Sequence, residues 1–563
     1  MKKNYFIALL ICFTYSIKTN GQDLLLNISG NNILETSKID SCNYSKKHKN
    51  YKSINKEVLR VQNLLYKQGY IENKLNKLEK FNDSTYKAKI ELNKLYKNIT
   101  IHYKANTIPK NWLNSISNTV TDTHFVLTFK NIESSLKYLN SKLSEQGYPF
   151  SKIKLNNITT NKNALSAHLD VAIKNKKRTI NKIKVEGYKK FPKSYLKHFL
   201  KIKKNQTFNL NAINKKTELL KTLKFANQIK APEVLFSKDS TTLYLYVKKA
   251  QTNTFDGFLG FGTNEDTNRL EFDGFLNLGL VNNLNYGETF RLLYKSDEGD
   301  QKTFQASLSL PYLFKSPVGV DLELNIFRRD TSFSTTRQAF KLNYQINSKQ
   351  KIAAGITGTK SSNLLPTNFV TQIEDFDTSY YTLAYNYIKP ELENLLFPIN
   401  ASFSLETNFG NRTSNISKEQ QSLILANAFK VFNLNARNSI YIRLNAEQLN
   451  SDTFFENELR RFGGINSIRG FEENSILASQ FGLVNSEYRY KLSNGIYVHT
   501  IIDAAYFENK INDSRQKLFG YGLGLGILTK SGLLKLNYAN GKSEDQKFKL
   551  SNSKIHISLK ATF

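Results

Sequence analysis

The sequence predicts two parts in tandem: an α+β arm of three repeated modules, then a transmembrane antiparallel β-barrel of about 16 strands. Three observations carry this. From Phe255 onward, apolar and polar residues alternate in short runs separated by Gly, Asn, Asp and Ser, the two-residue period of strands with one face toward lipid. Ahead of that, one strand–helix–helix–strand–strand pattern recurs three times. At the start, Met1-Lys2-Lys3 and the apolar run Tyr5–Phe13 have the form of a secretory signal, too short to span a bilayer.

The signal is expected to cover 1–21, with Gln22 opening the mature chain. Cys12 lies within the apolar run, and Leu9-Leu10-Ile11-Cys12 is a poor lipidation site. Cys42 is then the one remaining cysteine, which excludes an intrachain disulfide and a thiolate metal site. No later apolar run reaches membrane-helix length, and mean hydropathy is −0.45 with 12% aromatic residues; a barrel accommodates both, because only every second residue meets lipid.

Net charge is +33 over 563 residues and is unevenly placed. Residues 1–253 hold 47 Lys and Arg against 16 Asp and Glu, and residues 254–563 hold 33 against 31. A lysine-rich genome would give such an arm. So would an arm facing anionic lipid head groups or acidic clients. Nucleic acid is not an expected partner behind a signal peptide.

In the first module, 22–97, Leu24–Ser29 reads as a strand and Asn55–Gln68 as a helix with Val58, Val61, Leu64 and Leu65 on one face. Gly69-Tyr70 ends the helix, and strands follow near Ile71–Phe81 and Thr85–Leu92. The second, 98–177, has Ile99–Tyr103, helices Trp112–Val120 and Ile132–Leu143, a second Gly-Tyr stop at Gly147-Tyr148, then strands near Ser151–Ile158 and Ala164–Ile173. Glycine takes the left-handed conformation that ends a helix cheaply. In the third, 178–250, Thr179–Glu186 is a strand, and Pro192 opens a helix to about Ile202. Asn211–Leu223 is the second helix, and Ile229–Phe236 and Thr242–Val247 close the module.

The barrel, 254–563, follows. Phe304, Ala306, Leu308 and Leu310 alternate with polar residues, as do Phe340, Leu342, Tyr344 and Ile346, and Ile440, Ile442, Leu444 and Ala446. Gly257, Gly260 and Gly262 weaken the strand that begins near Phe255. Ile557, Leu559, Ala561 and Phe563 make one apolar face. Within the barrel, Arg460–Glu473 (RRFGGINSIRGFEE) has too few apolar residues for a strand and no helical period; it reads as a long ordered loop around Arg469.

The βααββ module resembles the POTRA (polypeptide-transport-associated) domain. Tandem modules, a barrel, the late Arg469-Gly470-Phe471 loop and a C-terminal aromatic together resemble the outer-membrane assembly and translocation superfamily of BamA, TamA and FhaC, with an arm of TamA-like size. The resemblance implies an outer-membrane protein with its arm in the periplasm. It implies insertion or translocation of unfolded outer-membrane or secreted polypeptides, received by β-augmentation on the arm and passed through a barrel seam open to lipid. That seam is expected between Phe255, Gly257 and Gly260 and the strand ending at Phe563. Membrane lipids and a periplasmic or inner-membrane protein bound through the arm are further implied partners. The loop is implied to fold into the lumen, with Arg469 held by Glu487 and Asp503. Ala505 departs from the family's Phe-x-Asp-x-Gly pattern, and Arg489, on the face of Glu487, competes for the acids.

Other classes fit less. A hydrolase needs a nucleophile with a histidine base, but only His499 and His556 lie in the barrel half, and no Gly-x-Ser-x-Gly elbow occurs. No enzyme, cofactor or metal site is expected. A passive porin needs neither arm nor ordered loop. A two-partner-type secretion pore and a lipid exporter stay open.

Overall fold

The computed structural model describes residues 23–161, 164–173, 176–250, 252–263, 270–297, 301–365, 372–529, 532–544 and 553–561. The expected signal at 1–21 and the closing Phe563 lie outside them. The chain forms two compact units: one reaches Arg178 and takes in Thr207–Asn209; the other holds Thr179–Gln206 and everything from Leu210.

In the first unit, the first module has Leu24–Ser29 parallel to Thr85–Glu91, flanked by Lys47–His48 on one side and Lys74–Lys80 on the other. Helix Tyr51–Lys67 starts at Asn50, whose Oδ1 accepts from Ser53 N at 2.9 Å, and buries Ile54, Val58, Val61 and Leu65. Gly69 ends it at φ +108, where a Cβ would sit 2.3 Å from the Tyr96 carbonyl oxygen. A further helix, Ile33–Asp40, has no apolar face: it buries only Ile39 and leaves Ile33 and Leu34 in solvent.

The second module is a five-stranded sheet, in the order Thr119–Val120, His124–Thr128, Asn98–His102, Ala164–Ala172, Lys152–Asn161. Here the expected helix 112–120 is corrected. The helix spans Lys110–Asn114; Ser117 Oγ then lies 2.6 Å from the Val126 carbonyl oxygen and 2.9 Å from that of Thr119, its one proton serving either, where the chain turns into a hairpin.

In the second unit, the third module sets Lys182–Glu186 parallel to Thr241–Lys249, with Ala226–Gln228 and Glu233–Phe236 antiparallel to that same strand. The helix expected from Pro192 to Ile202 contracts to a π-helical turn, Tyr195–Phe199. That turn is bent by its seat on the barrel. Tyr195 Oη donates to the Gly287 carbonyl at 3.1 Å, His198 Nε2 lies 2.9 Å from the Lys315 carbonyl oxygen, and Asn282 Nδ2 donates to Tyr188 Oη at 2.7 Å. Tyr312 packs edge-on to Tyr195 and stacks on His198. Only glycine fits at 287, where φ is +82 and a Cβ would lie 2.2 Å from the Tyr195 ring.

Among the described residues the barrel has sixteen strands, Thr254–Thr263 to Ser553–Ala561, each hydrogen-bonded to the next and all antiparallel. Its surfaces are inverted relative to a water-soluble protein. Phe340, Leu342 and Tyr344 are exposed while Lys341 and Asn343 between them are buried. Apolar side chains face lipid, and polar ones face the lumen, where Lys341 and Arg337 meet Glu406 at 2.8 and 2.9 Å. No described helix is long and apolar enough to cross a membrane.

Candidate functional site in the barrel lumen

The loop joining strands Asn438–Asn450 and Gln480–Lys491 is built from a short hairpin, Arg460–Phe462 with Ile476–Ala478. This corrects the expectation of an all-loop stretch. The hairpin forms because its apolar residues have a wall to meet. Phe462 stacks on Phe481 at 4.4 Å, and Ile468 is fully buried in a cluster with Leu483, Ala505, Phe507 and Leu518. Ala505, where the resemblance anticipated glycine, is therefore part of the apolar floor under the loop.

Beyond that floor the wall turns polar. Strand alternation puts Asn485, Glu487 and Arg489 on one lumen face and His499 and Asp503 beside them. Arg469 enters this patch and is itself 4% exposed. Its Nε and Nη2 donate to Asp503 Oδ2 and Oδ1 at 2.8 and 2.6 Å, and Nη1 donates to Glu487 Oε1 at 2.5 Å. The Arg469 backbone N–H adds a bond to Asp503 Oδ2 at 3.0 Å. A planar guanidinium matches two carboxylates at once, which an ammonium does not. Arg489 takes the other oxygen of Glu487 at 2.7 Å and lies over the Tyr441 ring at 3.9 Å. The two arginines thus share Glu487, and Asp503 belongs to Arg469.

Two glycines let the backbone approach. At Gly470, φ is +92, and a Cβ would meet the Gly541 nitrogen at 2.4 Å; one on Gly520 would meet the Arg469 carbonyl oxygen at 2.3 Å. Phe471 joins the apolar cluster, and Glu472 reaches Lys554 on the last strand at 3.0 Å. Arg469, Gly470, Phe471, Glu487 and Asp503 are therefore brought together. Phe255, Gly257 and Gly260 lie on the first strand, paired with Leu278, Leu276 and Asp273.

A second cluster was not anticipated. Arg412, fully buried, binds Glu458 at 2.6 Å and Glu419 at 3.0 Å, and lies over Phe455 at 4.0 Å. It holds the stem of the same loop to the neighbouring strands Ile399–Ser414 and Lys418–Asn433, helped by Arg329 to Glu456 at 3.0 Å. Arg412 sits in a polar Asn-Arg-Thr run, and its loop partner is 46 residues away; no local spacing connects them. Among the described residues, no three His, Cys, Asp or Glu side chains converge as metal ligands.

Residues 282–563, half of the chain, match the Omp85 superfamily domain, and residues 178–250 match the POTRA family described as a surface antigen variable number repeat. The chain belongs to the Omp85 superfamily. As an Omp85 protein it is an outer-membrane barrel with its POTRA modules in the periplasm. Its fold is similar to BamA from Haemophilus ducreyi lacking POTRA domains 1–3, at 14% identity over 82% of this chain and 99% of that one, with a TM-score of 0.52. It is also similar to CdiB from Escherichia coli, at 13% identity over 88% and 96%, with a TM-score of 0.51. No curated protein matches it significantly in sequence. The loop joins the eleventh and twelfth strands, on the side of the barrel away from the turns that seat the third module.

Proposed function

We propose that this Omp85 protein inserts or translocates polypeptides at the outer membrane. The arm receives unfolded outer-membrane or secreted clients on open sheet edges, where main-chain donors and acceptors bind any sequence in extended form. Lys182–Glu186 and Lys74–Lys80 are such edges. The barrel then releases clients sideways, through the seam between its first and last strands.

The observation that carries this reading is the open pairing between the two ends of the sheet order. Among the described residues, Thr254–Thr263 pairs with Leu270–Val281 and Ser553–Ala561 pairs with Gly532–Lys542, and no ladder joins the first strand to the last. A strand edge without a partner offers main-chain donors and acceptors to an incoming client strand. Passage through the lumen, as in a secretion pore, would first require the loop to leave both arginine clusters.

The test is reconstitution. The full chain in lipid vesicles is given a urea-unfolded outer-membrane barrel protein, and folding is read by protease protection and gel mobility. Faster folding than in empty vesicles is expected. No acceleration together with a large stable conductance would replace this reading with that of a passive pore; no acceleration together with lipid transfer would replace it with export.

A further inference from the structure

The second module carries a histidine row that the barrel chemistry does not use. The chain has seven histidines. Three of them, His102, His124 and His168, stand side by side on three adjacent strands. His102 is in register with His124 on one neighbour and with His168 on the other. The core of the module, Ile99, Ile101, Phe125, Leu165 and Ala167, lies on the opposite face, so the row sits on the outward side; His168 is exposed and the other two are half-buried.

The spacing fits shared ligation. Ring centroids are 5.4 Å apart for His102 and His168 and 5.7 Å for His102 and His124. Two imidazoles bound to one tetrahedral ion at ~2.0–2.1 Å place their centroids roughly 5 Å apart. His124 is also oriented: its Nδ1 lies 3.0 Å from Thr121 Oγ1 and 3.2 Å from Thr123 Oγ1. A hydroxyl accepting from Nδ1–H leaves the Nε2 lone pair for a metal, the arrangement by which outer partners fix ligating histidines. Plain ring contact between cross-strand neighbours would account for the distances but not for a three-strand row in a chain so poor in histidine.

We infer that the row His124–His102–His168 is a two-histidine site for a first-row transition cation of borderline softness, such as Zn2+. His102 is the obligatory ligand, and His124 and His168 are alternative second ligands, with water completing the shell. Imidazole selects Zn, Cu and Ni over Ca and Mg, which prefer oxygen. His102 is central because it alone neighbours both of the others; the three do not converge on a single point. Asp170, two residues beyond His168, is held by Asn156 Nδ2 at 3.2 Å and lies opposite Lys154, so it is not counted among the ligands.

The experiment is a Zn2+ titration of the untagged full chain in detergent against a chromophoric chelator. Wild type is expected to take up one more equivalent than His102→Gln. His124→Gln and His168→Gln should each keep that equivalent with weakened affinity, and the double variant should lose it. Equal uptake by wild type and His102→Gln would overturn the site, as would loss with His168→Gln but not with His102→Gln. Should His102→Gln fail to fold, the flanking double variant carries the test, since His168 is exposed: unchanged uptake there also overturns the site.

Discussion

Arg469 has the most to lose from a single substitution. Asp503 is fully buried and Glu487 nearly so. Arg489 would still neutralise Glu487 after Arg469→Ala, but Asp503 would lose its cation. Removing one partner of a buried pair costs up to ~3–5 kcal/mol, and less where water reaches the stranded charge, as it does in a lumen. Arg469→Ala should therefore free the loop without unfolding the barrel, and Arg469→Lys should restore only one carboxylate contact. Protease nicking within 460–475 on intact cells is expected to rise in both, more in the alanine variant. Equal protection in wild type and Arg469→Ala would mean that the apolar cluster alone holds the loop. Gly470→Ala offers an independent check, because its Cβ would press on the Gly541 backbone from a left-handed conformation. It should raise nicking as well, whereas Gly482→Ala, with nothing within 4 Å of its Cβ, should not. Strand alternation put Glu487 and Asp503 on lumen faces, and the family resemblance alone pointed the loop's Arg469 at them. Arg412 was illegible because its partners come from a different strand and from the loop stem.

Among the elements, the seat of the third module on the barrel turns is where pH acts. Burial, followed by Lys197, Lys201 and Lys203, holds the His198 imidazole below its ordinary value, against the bond to the Lys315 carbonyl. A lowered histidine favours the neutral folded form. Its contribution is thus fully present above the unfolded value of about 6.5 and is lost as pH falls through that value toward the folded one. Hydrogen exchange of the turn amides near 282–288 and 312–316, corrected for intrinsic rates, should report loosening from pH 7.5 to 5.5 in wild type. It should report little pH dependence in His198→Gln; identical profiles would remove His198 from the account. Element by element, the barrel strands and the helix expected at Asn55–Gln68, found at Tyr51–Lys67, followed from periodicity, whereas Lys47–His48, Thr119–Val120 and His124–Thr128 were not expected as strands. Helix Ile33–Asp40 did not follow from it, because it buries Ile39 alone while Ile33 and Leu34 face solvent, and only its cap, Asn32 Oδ1 accepting from Glu35 N at 2.8 Å, marks it. The shortened Lys110–Asn114 and the π-turn Tyr195–Phe199 were set by tertiary contacts that local propensity does not encode.

At the scale of the whole molecule, the basic arm and the seam are the two features to test. Because the third module packs with the barrel, the portion to isolate is 23–178, which holds 27 Lys and Arg against 12 Asp and Glu. It should bind anionic vesicles and release them as salt shortens screening below ~8 Å; equal binding to neutral vesicles would leave only genomic bias as the source of the charge. Sixteen strands were readable from alternation and length. The central claim is that clients leave through the seam, and it is tested most directly by closing that seam reversibly. One cysteine is placed within 254–263 and one within 553–561, Cys42 is replaced by Ser, and client folding in vesicles is measured before oxidation, after it, and after reduction. The seam account predicts that the disulfide stops client folding and that reduction restores it. Full activity of the oxidised, fully crosslinked protein would contradict it.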